Sequence, residues 1–593
     1  MSKRLISLIL VLILLGTALA SCQKDNPDNK DSESSDTEPE TVIEEAPFYE
    51  ILTSELENYT IIYPEDVTDE MMDSINTLAS AFSLKFGISM TTKDDNPTNY
   101  KGESQIGEYE IIIGDTRREE SAELLSELEY GDRGYKIIGK KIAIASHDSY
   151  TTATTVTEFS SIVRRTDKNA EIFFNSDMNS VTLGSYNYGT ITVDSADISE
   201  YRIVYPDGKS FEAALAKKLW RAIAEQCGSM LSVVSDSDAA SGSEILIGKT
   251  NRQTNTSSLS GVNDGRGLVT LDGKNIVLCG NNALGCATAV ESFINSFADG
   301  EKCETLALKV ENGLVSDTGK ASTMSFNVSA DGKTDSRAER VLETIVRYLP
   351  DTVGLQDCSE EWKEYLTSKL GDYYGYVGVG RDAEGTGLAT AILYAKDKLT
   401  VKESATKWLS ETPDEVSRTD GADANYTYTY VLFERAEGTP LLHVNTQLGT
   451  SSTVRTAQAK MILEFMYAHK DTAIILTGDL NCTEGSEEFN ALVCEFMRHS
   501  AAITADGQLG SYTHGNLSDT VLVYDEYIDV SYMEIASKRI DGAFASSSYA
   551  AYIEYTVDYN GTDFTETGVT SGGQLTWEPD RDGEEYPPFI PFD

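Results

Sequence analysis

The C-terminal half of the chain changes repeatedly between two hydrophobic patterns. Short apolar runs with alternating positions are typical of strands, and apolar residues at three- and four-residue steps are typical of helices. Because the two patterns are interspersed, we expect an α/β or α+β fold. The predicted strands are 324–328, 352–356, 390–394, 428–433, 441–446, 473–478 and 540–545, and the predicted helices are 335–348, 359–370, 454–469 and 486–497.

The region before this half carries one pattern twice. The glycines at positions 114 and 248 are 134 residues apart, those at 134 and 267 are 133 apart, and similar residues surround each pair. A nearly constant offset indicates a duplication. Each copy predicts a strand, a helix, a strand, a hairpin with a Gly-Lys turn and a closing helix. The predicted helices are 69–86, 152–162, 211–226 and 287–297.

The repeated segments resemble the small α/β domain at the N-terminus of α-glucuronidases and β-N-acetylhexosaminidases. That resemblance implies an accessory role, either as a spacer or in recognition of a glycan or wall polymer. Arg118 and Arg252 recur after the Ile-Gly strand of each copy. They are candidates either for binding an anionic sugar or for a salt bridge that packs a loop.

The first 46 residues predict export and tethering. Lys3 and Arg4 precede an apolar segment, 5–15, that is too short to span a bilayer and is typical of a secretory signal. Residues 19–22, Leu-Ala-Ser-Cys, resemble a bacterial lipobox, which implies a lipid anchor on Cys22 and a place on the outer face of the cytoplasmic membrane. Residues 23–46 are acidic and poor in apolar residues, so we expect a disordered tether.

Charge and cysteine content narrow the candidate functions. A formal charge of −48 at pH 7, with a pI near 4.4, argues against a nucleic-acid partner, because such binders need a basic footprint. Besides Cys22 the chain has seven cysteines, an odd number without a CxxC pair, so we expect mostly buried free thiols, although one bridge among Cys279, Cys286 and Cys303 is an alternative.

The main candidate for chemistry is the segment 474–481, Ile-Ile-Leu-Thr-Gly-Asp-Leu-Asn. An apolar strand ends in Asp479, and Asn481 follows two residues later. Alternate residues of a strand face the same side, so both side chains are expected in one pocket. A carboxylate there can orient water or bind a metal, and an amide can donate to a phosphate oxygen. A strand-end turn is the alternative interpretation.

Other segments accompany this motif in a fixed order: 324–328, 350–357, 442–448 and 539–544. Together they resemble the endonuclease/exonuclease/phosphatase superfamily, which includes deoxyribonuclease I, abasic-site endonucleases, sphingomyelinases and inositol-polyphosphate phosphatases. The resemblance implies a four-layer α/β sandwich and metal-assisted hydrolysis of a phosphoester. We therefore divide the chain into a signal (1–22), a tether (23–46), two modules (47–190 and 191–318) and a C-terminal domain (319–593).

The resemblance also implies roles for individual residues. Asn327 and Asp357 correspond to the residues that hold Mg²⁺ or Mn²⁺, although the family usually has Glu where this chain has the shorter Asp357, which weakens metal binding. Asp479 and Asn481 correspond to the water-orienting acid and its amide partner. Asp541 corresponds to the Asp that braces a C-terminal His.

Three positions depart from the family pattern. Gln447 and Glu585 stand where relatives have histidines, and Tyr426 stands where close relatives have an arginine. Gln cannot titrate, and a carboxylate repels a phosphate unless a proton or metal intervenes. We therefore expect a surface lipoprotein whose phosphoester hydrolase is weak or inactive. The alternative is a non-catalytic surface protein that binds a glycan or a phosphorylated ligand.

Overall fold

The computed structural model describes residues 47–557, apart from gaps at 66, 68, 99–103, 253–255, 299, 318–320, 329–334, 436–437, 483–485, 493–496, 500–519, 524–527 and 536–549. The predicted signal and tether, Cys22, Asp541, Glu585 and the predicted strand 540–545 lie outside the described residues. In the part of the chain that is described, no helix is both long and apolar enough to cross a bilayer.

The first module has a six-stranded sheet with helices on both faces and a separate antiparallel pair of strands, Glu50–Leu52 and Ile172–Asn175. Its central strand, Glu-Ile-Ile-Ile, is fully buried, as expected for a continuous apolar run between two helical layers. The strands are β1 Glu50–Leu52, β2 Thr60–Tyr63, β3 Thr91–Asp94, β4 Glu110–Ile113, β5 Arg133–Ile138, β6 Lys141–Ser146, β7 Ile172–Asn175 and β8 Ser180–Thr182, and the helices are α1 Asp69–Phe86, α2 Glu119–Ser126 and α3 Ser149–Arg165. Helices α1 and α3 cover one face, and α2 covers the other.

The second module has a sheet of the same construction. Its strands are β9 Tyr188–Val193, β10 Ala196–Asp197, β11 Tyr201–Tyr205, β12 Val233–Ser235, β13 Ser243–Ile247, β14 Gly267–Asp272, β15 Asn275–Gly280, β16 Cys303–Leu308 and β17 Gly313–Val315, and its helices are α4 Ser210–Cys227 and α5 Ala283–Asn295. Strand β9 spans the predicted module boundary at residue 190 and pairs with β10 and β16 in a small separate sheet.

The two six-stranded sheets have the same strand order and the same strand directions. The order is β3-β2-β4-β6-β5-β8 in the first module and β12-β11-β13-β15-β14-β17 in the second. Gly114 and Gly248 both have a positive φ after the central strand, where a Cβ would lie 2.6 Å from Met71 in one copy and 2.8 Å from Glu212 in the other. The same backbone turn under the same helix therefore requires glycine in both.

The two recurring arginines form salt bridges. Arg118 donates to the buried Glu110 at 3.1 Å, and Arg252 donates to the buried Glu244 at 2.8 Å. Each arginine also donates to a backbone carbonyl, of Asp95 and Asp238 respectively. The salt-bridge interpretation of these arginines is thus the one that the contacts support.

The described part of the C-terminal domain has two mixed sheets and four helices. The strands are β18 Ala321–Asn327, β19 Thr352–Cys358, β20 Tyr374–Val377, β21 Ala389–Ala395, β22 Thr400–Trp408, β23 Thr427–Glu434, β24 Leu441–Gln447, β25 Ala473–Asp479, β26 Arg498–His499, β27 Thr520–Val523, β28 Ile528–Ile535 and β29 Ala550–Val557, and the helices are α6 Asp335–Tyr348, α7 Glu360–Leu370, α8 Ser452–Tyr467 and α9 Glu487–Leu492. The sheet orders are β20-β21-β19-β18-β29-β28 and β22-β23-β24-β25-β27-β26.

The buried residues of this domain show four layers. One apolar cluster joins the inner faces of the two sheets. A second lies between the first sheet and helices α6 and α7, and a third lies between the second sheet and helices α8 and α9. Strands β24 and β25 are buried along their whole length because they have a neighbouring layer on both faces. The predicted mixed α/β class and the C-terminal sandwich are confirmed.

Most predicted elements agree with the structure to within two or three residues. The predicted helix 486–497 is observed over Glu487–Leu492, and Met497 is not helical; residues 493–496 lie outside the described residues. The cysteines among the described residues are free. Cys303 is exposed, and the others are buried: Cys227, Cys279, Cys286, Cys358 and Cys482.

The second module packs against the C-terminal domain through helix α4. Its buried residues and those of α6, α7, β18 and β19 form one continuous apolar cluster. Phe211 of α4 stacks on Tyr373 of the C-terminal domain, with the ring centroids 5.0 Å apart. By contrast, the core of the first module is a separate cluster. That module reaches α4 through the edge-to-face contact of Tyr130 with Trp220.

Three ion pairs connect α4 to α6, and we call them the α4–α6 row. They are Lys217–Glu339 at 3.8 Å, Arg221–Glu343 at 2.7 Å and Glu225–Arg347 at 2.9 Å. Residues four apart lie on one face of a helix, so the two helices present complementary charges in the same chain direction. The members of the row line a crevice of about 600 Å³ between the two units.

Candidate active site at the ends of four strands

The candidate site lies where two pairs of parallel strands end. In the first sheet Asn327 pairs with Gln356, and in the second sheet Gln447 pairs with Asp479. Parallel neighbours end at the same edge of a sheet, and the two sheets face each other. Residues from all four strand ends therefore meet at one edge of the sandwich.

The side chain of Asn327 connects the two sheets at this edge. Its Nδ2 donates to Asp479 Oδ2 at 2.9 Å and to Asp357 Oδ2 at 3.1 Å. Two acids that are distant in sequence, Asp357 and Asp479, are thus both within hydrogen-bond distance of the side-chain nitrogen of Asn327. This is the grouping that the sequence predicts.

Asp479 is the most buried acid of the group, with 5% of its surface exposed. Burial is the main reason that its pKa is raised to about 7, and the nearby carboxylate of Asp357 adds to the rise. Hydrogen bonds from the Asn481 amide, Asn327 and Gln447 oppose it. The site therefore holds two carboxylates whose mutual repulsion would be relieved by a cation.

Asn481 has a different position from the one expected by strand alternation. It lies beyond the end of β25 with φ at 49°, and its Nδ2 donates to the carbonyl of Leu448 at 2.8 Å. Its backbone N–H donates to Asp479 Oδ1 at 3.0 Å. Asn481 therefore holds the strand end and the carboxylate in place, with its amide nitrogen committed to the backbone.

Asp357 also has a left-handed backbone, with φ at 53°. For a residue with a Cβ this conformation costs about 1–3 kcal/mol, and it persists where the surrounding structure fixes it. Here the strand β19 has a register shift between Leu355 and Cys358, which turns Asp357 away from the regular ladder. The strain is located at the acid that faces Asn327.

Behind the carboxylates lies a buried polar layer that the sequence did not predict. Gln356 Nε2 donates to Asn445 Oδ1 at 2.6 Å, and Thr477 Oγ1 donates to the same oxygen at 2.9 Å. A Cβ at Gly354 would clash with Thr477, so a glycine is needed where the two sheets approach. Polar residues inside otherwise apolar strands were the signal that could have indicated this layer.

His443 belongs to the same layer and is fully buried. Its Nε2 lies 2.8 Å from Thr477 Oγ1, and its Nδ1 has no hydrogen-bond partner among the described residues. Burial lowers its pKa to about 3. His443 is therefore a neutral packing residue. It does not take the role of the two histidines that the family pattern would place at Gln447 and Glu585.

The two described replacement residues both border the site. Gln447 Nε2 approaches Asp479 Oδ2 at 3.4 Å. The hydroxyl of Tyr426 donates to Asp423 Oδ1 at 3.0 Å, and burial followed by Asp423 raises its pKa to about 12. The guanidinium of Arg381 lies over the Tyr426 ring, 5.6 Å from its centroid.

The described residues fit a hard divalent cation in part. Among them, no group of three His, Cys, Asp or Glu side chains could hold a metal. However, Mg²⁺ commonly takes one or two protein carboxylates and completes its shell with water and phosphate oxygens. Asp357 and the amide of Asn327 are the donors that would hold such an ion, and the repulsion between Asp357 and Asp479 favours its binding.

The comparisons with known proteins concern the same part of the chain. The family model described as Endonuclease/Exonuclease/phosphatase family matches residues 324–572. No curated protein matches the sequence.

Several solved structures are similar to this region. One is an endonuclease/exonuclease/phosphatase from Bacteroides vulgatus, with 24% identity and a TM-score of 0.37 over 40% of this chain and 100% of that chain. A mannosyl-6-phosphatase from Bacteroides thetaiotaomicron has 22% identity and a TM-score of 0.35 over 40% of this chain and 99% of that chain. The human Nocturnin catalytic domain with bound sulfate has 16% identity and a TM-score of 0.34 over 40% of this chain and 93% of that chain.

Similarities at this level say nothing about the substrate of this chain. The match to the family model covers the strands that carry Asn327, Asp357, Gln447 and Asp479. The C-terminal region is a domain of the endonuclease/exonuclease/phosphatase family, a family of phosphoesterases and phosphatases.

Proposed function

We propose that the C-terminal domain is a divalent-metal-dependent phosphoester hydrolase of reduced activity. The observation that carries the proposal is the convergence of Asp357 and Asp479 on the side-chain nitrogen of Asn327. Two carboxylates and an amide at the edge of a rigid sandwich suit metal-assisted attack of water on a phosphate.

In this proposal each residue has a distinct task. Mg²⁺ or Mn²⁺ would neutralise charge on the phosphoryl oxygens. Asp357 and Asn327 would provide oxygen ligands for that ion. Asp479 orients the attacking water and accepts its proton, and Asn481 fixes the direction of the Asp479 carboxylate through its backbone N–H.

The reduced activity follows from Gln447. A positioned acid or base that titrates typically contributes a factor of about 10²–10⁴ to a rate. Gln447 lies next to Asp479 but cannot take up or release a proton. Glu585, at the other position where relatives have a histidine, lies outside the described residues and is not assigned a task.

The test is turnover of a generic aryl phosphodiester and monoester by the full-length chain with Mg²⁺ or Mn²⁺. We expect slow metal-dependent turnover that falls at least about 100-fold in Asp479→Ala, in line with the contribution of a catalytic base. Asp471→Ala is the control, since Asp471 is an exposed acid just before the opposite end of the same strand. Equal turnover by Asp479→Ala and Asp471→Ala would contradict the proposal.

A second candidate is a non-catalytic binding domain. It is favoured by the contacts of Asp479, whose oxygens accept hydrogen bonds from Asn481, Asn327 and Gln447. A carboxylate held in this way can act as a structural acceptor. Absence of metal-dependent turnover together with binding of a phosphorylated sugar or a glycan would favour this candidate.

We also propose that the two modules arose by duplication and serve as spacers. The common strand order supports the duplication. The salt bridges of Arg118 and Arg252 support a structural role over binding of an anionic sugar, because each guanidinium is already paired with a buried carboxylate. Retention of the full-length chain on a glycan or wall-fraction array would favour recognition instead.

The amino-terminal sequence supports a lipid anchor on Cys22 and display on the outer face of the bacterial cytoplasmic membrane. Two or more acyl chains are needed for stable anchoring. We expect cells that express the chain to incorporate labelled fatty acid into it, and Cys22→Ser to abolish both the label and the membrane association. Label retained in Cys22→Ser would exclude this anchor.

A further inference from the structure

The loop between β20 and β21 places a cation at the edge of the candidate site. This loop, residues 378–388, has its own hydrogen bonds: the N–H of Gly380 donates to Gly385 O, and the N–H of Arg381 donates to Leu388 O. The indole of Trp408 donates to the carbonyl of Arg381 at 2.7 Å. The backbone of Arg381 is thus fixed on both sides.

The register of the first sheet brings this loop next to Asp357. Ala389, at the start of β21, pairs with Cys358, which follows Asp357 directly. The side chain of Asn425 donates to Asp382 Oδ1 at 3.0 Å and ties the loop to the second sheet. Arg381 therefore extends from a loop that is anchored to both sheets at the edge where Asp357 lies.

The guanidinium of Arg381 is supported by an aromatic ring instead of an acid. It lies over Tyr426, 5.6 Å from the ring centroid. None of the described acids is within salt-bridge distance of it, whereas Lys398, Arg347 and Arg455 of the same domain each pair with a carboxylate. The neighbouring Asp382 accepts its hydrogen bond from Asn425.

The chain as a whole has a formal charge of −48, so this guanidinium is a local positive group on an acidic protein. An arginine on an aromatic face keeps its in-plane N–H donors available, and the guanidinium fork matches two oxygens of a phosphate. Tyr426, on which it rests, occupies the position where close relatives have an arginine. The same region thus has a positive group supplied from a different loop.

We infer that Arg381 binds the phosphoryl oxygens of the substrate, held over Tyr426 by the loop between β20 and β21. This inference rests on the proposed phosphoester site, but it concerns binding of phosphate and is tested without turnover. Arg381 is assigned the recognition of the phosphate group, and Tyr426 is assigned the positioning of Arg381.

The experiment measures binding of inorganic phosphate to the full-length chain by calorimetry, at constant ionic strength, with and without Mg²⁺. We expect Arg381→Ala to weaken binding at least about 10-fold, as loss of a charge-assisted hydrogen-bond pair does. The phosphate affinity of Arg381→Lys should lie between those of the parent and Arg381→Ala, because lysine keeps the charge and lacks the planar pair of N–H donors. Thermal unfolding of each variant checks that the fold is retained.

Lys470→Ala is the matched control. Lys470 also lies over a tyrosine ring, that of Tyr467, 5.1 Å from its centroid. It precedes the start of β25, about 20 Å from the end that carries Asp479 at the usual rise of a strand. The inference is supported if the phosphate affinity of Lys470→Ala is within twofold of that of the parent and only the Arg381 variants lose phosphate affinity.

Two outcomes overturn it: equal phosphate affinity of Arg381→Ala and the parent, and no measurable binding of phosphate by the parent at tens of millimolar. Loss of phosphate binding in Arg381→Ala, combined with no metal-dependent turnover by the parent, supports the role of Arg381 and contradicts the hydrolase. The two proposals can therefore fail separately.

Discussion

The two modules have the same strand order but differ in what their long helix contacts. Helix α1 of the first module packs within its own core. Helix α4 of the second shares a core with the C-terminal domain and carries the α4–α6 row. One fold thus serves once as a unit with its own core and once as a part of a larger unit.

The difference lies in a few positions on the outer face of the helix. Both helices have 18 residues. When their first residues are aligned, Lys217, Arg221 and Glu225 correspond to Asn76, Ser80 and Leu84, none of which is charged, and Leu84 is 84% exposed. The strand pattern therefore determines the fold of a module, and the outer helix face determines whether it docks.

The largest expected effect on stability comes from removing a large side chain from each core. Phe211→Ala should destabilise the second module and the C-terminal domain together, and Phe82→Ala should destabilise the first module alone. Each change should cost about 3–5 kcal/mol, because both rings are fully buried. Hydrogen exchange followed by mass spectrometry locates the loss of protection; a loss confined to the second module in Phe211→Ala would contradict the shared core.

Acid should decrease the stability that His443 contributes to the larger unit, whereas the raised pKa of Asp479 acts in the opposite direction. The pKa of His443 is about 3 in the fold against 6.5 in the unfolded chain, so the unfolded state binds more protons below pH 6.5. The stability that His443 contributes is complete above pH 6.5 and decreases as the pH falls towards 3, by about 2 kcal/mol at pH 5 at 1.36 kcal/mol per pKa unit.

Tryptophan fluorescence during urea unfolding at pH 7 and pH 5 measures this effect. The first module contains no tryptophan, so the signal reports the second module and the C-terminal region. His443→Gln, which keeps a hydrogen-bonding group near Thr477 and does not titrate, should lack this loss, so that its stability at pH 5 relative to pH 7 exceeds that of the parent by about 2 kcal/mol. An equal change between pH 7 and pH 5 in the parent and in this variant would show that His443 does not contribute to the pH dependence.

The smallest expected effect comes from the ion pairs. Glu343→Arg places two arginines together at the junction and should cost about 1–2 kcal/mol, since both partners are only partly exposed. The double variant Arg221→Glu with Glu343→Arg should recover most of the loss, and the loss should decrease at high salt.

The pair Arg133–Glu158 of the first module gives the control for this prediction. It is similarly short, at 2.8 Å, but lies within one module and is more exposed. Glu158→Arg should cost under about 1 kcal/mol and leave the junction intact. Equal effects of Glu158→Arg and Glu343→Arg on the tryptophan signal would mean that the row does not contribute to docking.

Much of the fold could be predicted from the sequence because the spacing of apolar residues depends on the secondary structure of one segment alone. Helix α6 was predicted with its observed ends, and the strand that ends at Asp479 was predicted to within one residue. The grouping of Asn327, Asp357 and Asp479 was also predicted, from the order of motifs.

The unpredicted features depend on contacts between distant segments. The spacing of apolar residues predicts neither the turn at Asn481 nor the polar layer around Asn445, because each is fixed by a partner on another strand. Arg381 is 45 residues from Tyr426, and its place over that ring becomes visible only when the two sheets are assembled. The docking face of α4 was not predicted, for the same reason.

The order of charges along α4 has a consequence for how this protein could be recombined. Sliding α4 by one helical turn in either direction would bring Arg221 to Arg347, or Glu225 to Glu343, so that each misplaced arrangement contains a repulsion. The helix pair therefore accepts one alignment only. A grafted copy of the second module would dock on a new host only if the face of α6 were transplanted with it, whereas the first module carries no such requirement.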